Sequence, residues 1–163
     1  MATRITILCC ILLCGLGCSS PPPTTSISID IAGETFNLEL MINQETRTKG
    51  MMHRTSISPS GGMLFIFPDS KNRSFWMKNC FVDIDLIFLD SRGLITSLYE
   101  MTMEPPHEQV ESIWAYEGRL NQYWSKGPAR FAIELAPGSI HRLHLEINDK
   151  IILDLPYLKS LAR

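Results

Sequence analysis

Cysteine is scarce in this 163-residue sequence wherever it could serve as a cross-link. Only Cys80 lies beyond residue 18, and the other four cysteines are Cys9, Cys10, Cys14 and Cys18. One thiol cannot close a loop, so the chain after residue 18 is predicted to fold without a disulfide of its own. The remaining stretch of roughly 140 residues is long enough for one domain that buries about two thirds of its unfolded surface.

The sequence also has no excess of positive charge. Lys and Arg number 15 against 17 for Asp and Glu, the formal net charge is −2, and the basic residues form no run. Proteins that bind nucleic acid need a basic patch to neutralise phosphates, so nucleic acid is not expected as a partner.

Motifs that would signal a familiar reaction or cofactor are missing as well. The chain has no Gly-rich phosphate loop, no Gly-x-Ser-x-Gly elbow and no Cys/His cluster at metal-ligand spacing. The sequence has eight methionines, and a site for a soft metal is one explanation for them, because thioethers select Cu(I). The other explanation is that methionine is a common filler of apolar cores. We therefore predict no catalytic residue, no metal site and no cofactor, and we expect Cys80 to be an unreactive thiol beside a turn.

The amino terminus carries the most extended apolar run. It extends from Ile5 to Leu16, about a dozen residues, which is short of the roughly 20 that a membrane-spanning helix needs. The positively charged start before it and the small residues after it are typical of a secretory signal. Gly17-Cys18, followed by Ser-Ser-Pro-Pro-Pro-Thr-Thr, resembles a bacterial lipoprotein signal, in which the cysteine becomes the lipidated first residue. An ordinary cleaved signal with an incidental Cys18 is the alternative.

These features predict three segments. They are a signal peptide over 1–17, the lipid-attachment residue Cys18 with a Pro/Thr/Ser tether over 18–26, and a single β domain over 27–158. The domain would be exported and anchored by lipid to the bacterial cell membrane or outer membrane, facing the periplasm or the outside. Its expected partners are the membrane and either a small polar ligand or an envelope protein.

Alternating apolar and polar residues dominate the region after the tether. SISIDIAGETFNLEL predicts a hairpin that turns at Gly33, and Asn43 is a candidate cap for a short helix ending near Met51. Many short strands with Gly and Pro between them favour a mainly β domain, a small antiparallel β-sandwich or barrel-like fold with one to three short helices. Further strands are expected over 63–67, 74–79, 84–89, 94–101, 129–135 and 149–155. A helical turn is expected over 139–143, and a long loop with a helical turn of its own over 104–126.

Charged residues interrupt the apolar strands of segment 74–89. If 74–79 and 84–89 pair as an antiparallel hairpin, Lys78 lies opposite Asp85, on the face that also carries Trp76. The plain interpretation is a cross-strand ion pair on a partly solvated face.

A ligand site is the sharper interpretation of the same residues. Trp76 would offer a stacking surface, while Arg54, Lys78 and Asp85 would make polar contacts with a sugar or a small anion. Catalysis by the Lys78/Asp85 pair is a third possibility, although a neighbouring carboxylate raises the pKa of a lysine that would have to lose its proton.

Five sequence blocks occur in the order found in a known family: GMMHR at 50–54, GGMLFIF at 61–67, FWMKN at 75–79, IDLIFLD at 84–90 and AIELAPG at 132–138. The chain therefore resembles domain-of-unknown-function family 192 over roughly residues 30–153. The resemblance implies a small, mostly β domain of prokaryotic proteins, often exported, with no established biochemical role and no catalytic residue to carry over. A surface specific to this member is expected in the stretch between Pro105 and Pro128, which contains the aromatic segment 113–124.

Taken together, the sequence favours a non-enzymatic binding or interaction module of the cell envelope. An enzyme of unassigned reaction that uses the Lys/Asp/Arg cluster is the alternative. A perturbed ionisable group inside a concave pocket would favour the enzyme.

We expect Cys18→Ser to abolish acyl labelling of the full-length chain in a bacterial host, because lipid is transferred to the thiol of that residue. Labelling with a radioactive or clickable fatty acid measures this, and Cys14→Ser, inside the apolar run, should leave the label in place. A wild-type chain that takes up no lipid would contradict the anchor.

Overall fold

The computed structural model describes residues 26–162, so the predicted signal peptide, Cys18 and the tether up to residue 25 lie outside the described residues. The strands are β1 (Ser26–Ile31), β2 (Glu34–Met41), β3 (Gly61–Lys71), β4 (Ser74–Phe75), β5 (Ile84–Leu89), β6 (Ile95–Met101), β7 (Tyr123–Trp124) and β8 (Ala129–Leu135). The helices are α1 (Gln44–Lys49), α2 (Ile113–Arg119), α3 (Ser139–Arg142) and α4 (Leu155–Leu161). The prediction of a mainly β domain is confirmed.

Six strands form one open sheet in the order β1-β2-β3-β8-β5-β6, and β4 and β7 form a small second sheet. All neighbours are antiparallel except β2 and β3, which run parallel and are connected through α1. The sheet is therefore mixed, and the part of the chain from 26 to 162 contains four short helices where one to three were expected.

Local sequence signals account for the first hairpin and the first helix. Gly33, with φ at +84°, makes the turn between β1 and β2, as predicted. Asn43 caps α1: its side chain accepts a hydrogen bond from the Thr46 N–H at 2.9 Å, and the Thr46 hydroxyl accepts one from the Asn43 N–H at 3.3 Å. This reciprocal pair satisfies two backbone donors that a helix start leaves open.

The two faces of the large sheet carry different apolar side chains. The aliphatic face presents Leu64, Ile87 and Ile133, and the carboxyl-terminal segment packs on it through residues such as Leu158 of α4. The methionine face, on the other side, presents residues that include Met41, Met63, Met101, Phe65 and Phe88, and it is covered by Met51, Met77 and Cys80. Both faces of the central strands are thus removed from water.

Two predicted strands are wrong. Segment 74–79 is extended only at β4, which pairs with β7; the chain then turns, and Asn79 takes a left-handed backbone with φ at +54°. Residues 149–155 form only a single bridge between Lys150 and Leu94 before α4 begins. Asp154 starts that helix by accepting a hydrogen bond from the Tyr157 N–H at 3.1 Å, a capping signal that outweighs the apolar pattern before it.

Within residues 26–162, no helix has the length and apolar character needed to cross a bilayer.

Gly62→Ala should lower the free energy of unfolding by about 3 kcal/mol, because a methyl group there would stand 2.3 Å from the Glu134 carbonyl oxygen, a backbone atom that cannot move aside. Urea unfolding of the two chains measures the difference. Gly118→Ala in α2 is the matched control: apart from its chain neighbours and the nearby backbone of its own helix, nothing lies within 4 Å of the added methyl group, so we expect a gain of up to about 1 kcal/mol. Equal stabilities for the two variants would contradict this packing.

Candidate functional site

A cleft of about 640 Å³ opens over the methionine face of the sheet. Its walls come from α1 and the residues after it, from the end of β3, and from the loop that carries β4. The volume lies within the range of cavities that hold small-molecule ligands.

Aromatic rings form the apolar wall of the cleft. Phe75 of β4 packs edge-on against Phe65 and Phe67 of β3, with ring centres 4.8 Å and 6.4 Å apart. Trp76 and Trp124 add two larger rings to the lining. Such surfaces offer a flat ligand both area and stacking geometry.

Two arginines lie close to the Phe67 ring at one end of the cleft. The guanidinium of Arg73 lies 4.3 Å from the centre of the Phe67 ring, and that of Arg47 lies 5.7 Å from it. Arg47 donates hydrogen bonds to the carbonyls of Ile42 at 2.8 Å and Ile66 at 3.0 Å. Burial, and then the nearby charge of Arg73, lower the pKa of Arg47. The two like charges therefore repel each other over one ring.

The carboxylate of Asp69 partly neutralises the positive charge at this end of the cleft. Asp69 forms an ion pair with Arg73 and another with Lys71 at 2.6 Å, and the hydrogen bond from Lys71, followed by that from Arg73, lowers its pKa. Nevertheless, the buried Nε of Arg73 has no hydrogen-bond partner among residues 26–162. The basic lining residues are Arg47, Lys49, Arg73 and Lys78, and the acidic ones are Asp69 and Glu134.

Glu134 of β8 is the acid at the other end of the cleft. It lies between Met63 of β3 and Leu86 of β5 on the methionine face and is 4 % exposed. Its Oε2 atom is buried and has no hydrogen-bond partner in the described part of the chain. Burial raises the pKa of Glu134 to about 8, against the opposing effect of the Arg54 charge, so the side chain carries a proton at neutral pH.

Gly50 brings the chain close over this acid. A methyl group at Gly50 would lie 3.3 Å from the Phe65 ring and 3.7 Å from Glu134 Oε2. The backbone of Gly50 also has φ at +43°, which glycine adopts readily. The end of α1 can therefore approach the floor of the cleft.

The structure places two of the four predicted site residues in the cleft lining. Trp76 and Lys78 are both there, and the Lys78 ammonium lies 5.4 Å from the Trp76 ring centre. Lys78 forms its ion pair with Glu117 of α2. Arg54 stands outside the lining, where both its terminal nitrogens bind Glu39, Nη2 to Oε2 at 2.7 Å, and this hydrogen bonding raises the pKa of Arg54.

The predicted pairing of Lys78 with Asp85 is wrong. Asp85 belongs to the aliphatic face, 1 % exposed, and accepts a hydrogen bond from the Ile140 N–H at 2.7 Å, so it holds the start of α3. Burial raises its pKa, while the backbone hydrogen bonds of Ile140 and its neighbours act in the opposite direction. The hairpin cannot form because β5 already has β6 on one side and β8 on the other.

The remaining candidate residues are Cys80 and the side chains that are common metal ligands. Burial raises the pKa of the Cys80 thiol to about 12, which agrees with an unreactive thiol. In the chain from Ser26 to Ala162, no three His, Cys, Asp or Glu side chains come together as a metal site.

Sequence reasoning missed Glu134, Arg47 and Arg73 as site residues. For Glu134 a signal exists: it is the one charged residue in FAIEL, a run otherwise apolar, where an acid has to be satisfied or neutral. Arg47 and Arg73 carry no comparable signal, because each lies among polar residues that any exposed loop could contain.

Comparison with known proteins identifies the family. The model of family DUF192, described as an uncharacterized ACR, matches residues 27–153, and the chain belongs to that family. No curated protein matches the chain.

Two solved structures share the fold. One is a protein from Sinorhizobium meliloti that is provisionally assigned as a transcription regulator. Its sequence is 28% identical and the TM-score is 0.59. The match covers 77% of this chain and 88% of the S. meliloti chain. The other, a protein of unknown function from Novosphingobium aromaticivorans, is 21% identical, with a TM-score of 0.62, over 80% and 85% of the two chains.

The free energy of unfolding should fall as pH rises from about 6 to 8, by up to about 1.4 kcal/mol per pH unit. The sign follows from Glu134, since its pKa rises from 4.5 to about 8 and the folded chain therefore holds one more proton than the unfolded chain between those values. Urea unfolding at several pH values measures the slope.

Glu134→Gln should remove most of that slope, because an amide does not titrate. Glu100→Gln, at an exposed position on β6, is the control and should keep the wild-type slope. A wild-type slope in the Glu134→Gln chain would show that Glu134 does not carry the extra proton.

Proposed function

We propose that this member of family DUF192 is a binding module whose cleft takes a small organic anion with a flat, apolar body. The observation that carries the proposal is the pair of guanidinium groups, Arg47 and Arg73, stacked over Phe67 at one end of an aromatic cleft. A charged head and a ring are the two features that such a surface complements.

The positive end supplies the attraction for the anion. The charge of Arg73 helps to lower the pKa of Arg47, and an anion bound beside both guanidinium groups relieves this repulsion. Guanidinium forks match carboxylate, sulfonate and phosphate oxygens, and hydrogen bonds to such ions are among the stronger ones in proteins. The Nε of Arg73, buried and without a hydrogen-bond partner among residues 26–162, is a further donor that Asp69 does not occupy.

The aromatic wall supplies the apolar contact. Phe65, Phe67 and Phe75 pack edge-to-face, which fixes their orientation before any ligand arrives. Trp76 stands beside them under the ammonium of Lys78. A preformed wall loses little side-chain freedom on binding, which favours affinity.

An enzyme is the second candidate, and Glu134 is the observation that favours it. A carboxyl group with a pKa near 8 is suited to general acid or base catalysis. However, the cleft offers it no activated nucleophile, because Cys80 keeps its proton and Lys78 is paired with Glu117. Binding therefore remains the leading proposal.

The setting of this activity is also a proposal. The short apolar run and Gly17-Cys18 support an exported chain anchored by lipid, with its ligand met in the cell envelope. Regulation of transcription, the provisional assignment of the S. meliloti protein, is not favoured here because acids outnumber bases and no basic run exists.

Binding of benzenesulfonate to the full-length chain should shift the indole N–H signals of Trp76 and Trp124, which line the cleft. Trp114, 81 % exposed on α2 and outside the cleft, is an internal control whose signal should stay in place. Benzamide, of similar shape but uncharged, should bind at least about tenfold more weakly, because it lacks the charge that the arginines recognise. Equal shifts with both compounds would contradict an anion site.

The role of Arg73 can be isolated with a matched pair of variants. Arg73→Gln should weaken benzenesulfonate binding about tenfold, since it removes one charged donor. Arg142→Gln should leave the affinity unchanged. Arg142 also pairs with one carboxylate, Glu34, and stacks on one phenyl ring, Phe36, but lies outside the cleft lining.

A further inference from the structure

Glu134 lies at the opposite end of the cleft from the arginines. It is the register partner of Met63 in β3, and Phe67, under the two guanidinium groups, is four residues further along that strand. At about 3.3 Å per residue, the two ends are separated by roughly 13 Å of backbone. Phe65 stands between them, within reach of both Glu134 and Phe75.

The acid end of the cleft offers an unused hydrogen-bonding atom. Buried polar atoms in folded proteins nearly always have a partner, yet Glu134 Oε2 has none among residues 26–162. The charge of Arg54 acts on the pKa of Glu134, but the terminal nitrogens of Arg54 bind Glu39. A ligand that enters the cleft is therefore in a position to supply the missing partner.

The charge of Glu134 changes near neutral pH, whereas the groups around it named below keep theirs. Met63 and Leu86 beside it on the sheet cannot titrate. Cys80, the other ionisable group of the cover, keeps its proton until about pH 12, and Arg54 stays charged in its pair with Glu39. Asp69, Arg47 and Arg73 belong to the far end of the cleft.

We infer that protonated Glu134 donates a hydrogen bond to the distal end of the ligand, so that the cleft selects elongated anions whose charged head and carbonyl-type acceptor reach the two ends of the cleft, roughly 13 Å apart along β3. The inference rests on the proposed function, since the arginines must hold that head. When Glu134 loses its proton, the donor disappears and a negative charge faces an anionic ligand. Affinity for such ligands should then fall.

Two synthetic probes separate the acceptor from the rest of the ligand. In 4′-acetylbiphenyl-4-sulfonate a ketone and a sulfonate stand at opposite ends of a flat body, and 4′-ethylbiphenyl-4-sulfonate has the same shape without the ketone. Their dissociation constants are measured by calorimetry on the full-length chain at about pH 6.5 and about pH 9, on either side of the Glu134 pKa of about 8.

The wild-type chain should bind the acetyl probe about tenfold more tightly than the ethyl probe at the lower pH and lose this preference at the higher pH. Glu134→Gln should keep the preference at both pH values, because its amide remains a donor. Glu134→Met, of similar length and without a polar atom, should show no preference at either pH. Glu100→Gln, on the exposed side of β6, should behave as the wild type.

The failures of the two proposals are distinguishable. If both probes bind in a manner that depends on Arg73 but the acetyl preference is absent, or is unchanged at the higher pH, the role of Glu134 is overturned and the anion site stands. If neither probe binds, both are overturned. The wild-type pH comparison decides the matter even if a Glu134 variant does not fold.

Discussion

Burial of the central strands on both faces is the constraint on which the rest of this structure depends. β3, β8 and β5 are neighbours in the sheet, with the aliphatic face on one side and the methionine face on the other. An acid on such a strand must find donors or keep its proton, because an unpaired charge in an apolar interior is very costly. Asp85 and Glu134 meet this constraint in different ways. Asp85 finds backbone N–H groups at the start of α3, and Glu134 keeps its proton.

The same crowding of the sheet creates the cleft. Since both edges of β5 are occupied, the segment from Ser74 onward does not pair with β5 and stands over the methionine face instead. Two hydrogen bonds to Ser125 hold it there. The Ser125 hydroxyl accepts a hydrogen bond from the Arg73 N–H at 2.9 Å, and the Ser125 N–H donates one to the Arg73 carbonyl at 2.8 Å. Tyr116 adds a second tie, because its hydroxyl accepts from the Asn79 N–H at 3.1 Å. The cleft is the space between this segment and the sheet, and side chains of the segment line it.

The sequence was informative where structure is determined by neighbours in the chain. The first hairpin, the Asn43 cap and the strand over Ala129–Leu135 were predicted because their signals lie within a few residues. The pairing of Lys78 with Asp85 failed because it assumed that consecutive strands pair, whereas β5 takes its partner β8 from more than forty residues away. The site depends on the same long-range pairing: Trp76 and Lys78 were identified, but nothing local brings Glu134 under them.

Arg54 explains why the buried acid titrates near the physiological range. Burial alone pushes the pKa of Glu134 upward, and the charge of Arg54 brings it partly back. Met63 of β3 lies between Glu39 of β2 and Glu134 of β8. Glu39 binds the terminal nitrogens of Arg54, so the charge of Arg54 acts on Glu134 from a distance. A direct ion pair with Arg54 would favour the ionised form of Glu134 and end its capacity to donate, while removal of the cation would raise the pKa of Glu134 further. The three side chains together hold an acid that is neutral and close to losing its proton, and whose Oε2 has no hydrogen-bond partner among residues 26–162. It lies at one end of a cleft whose other end is positive.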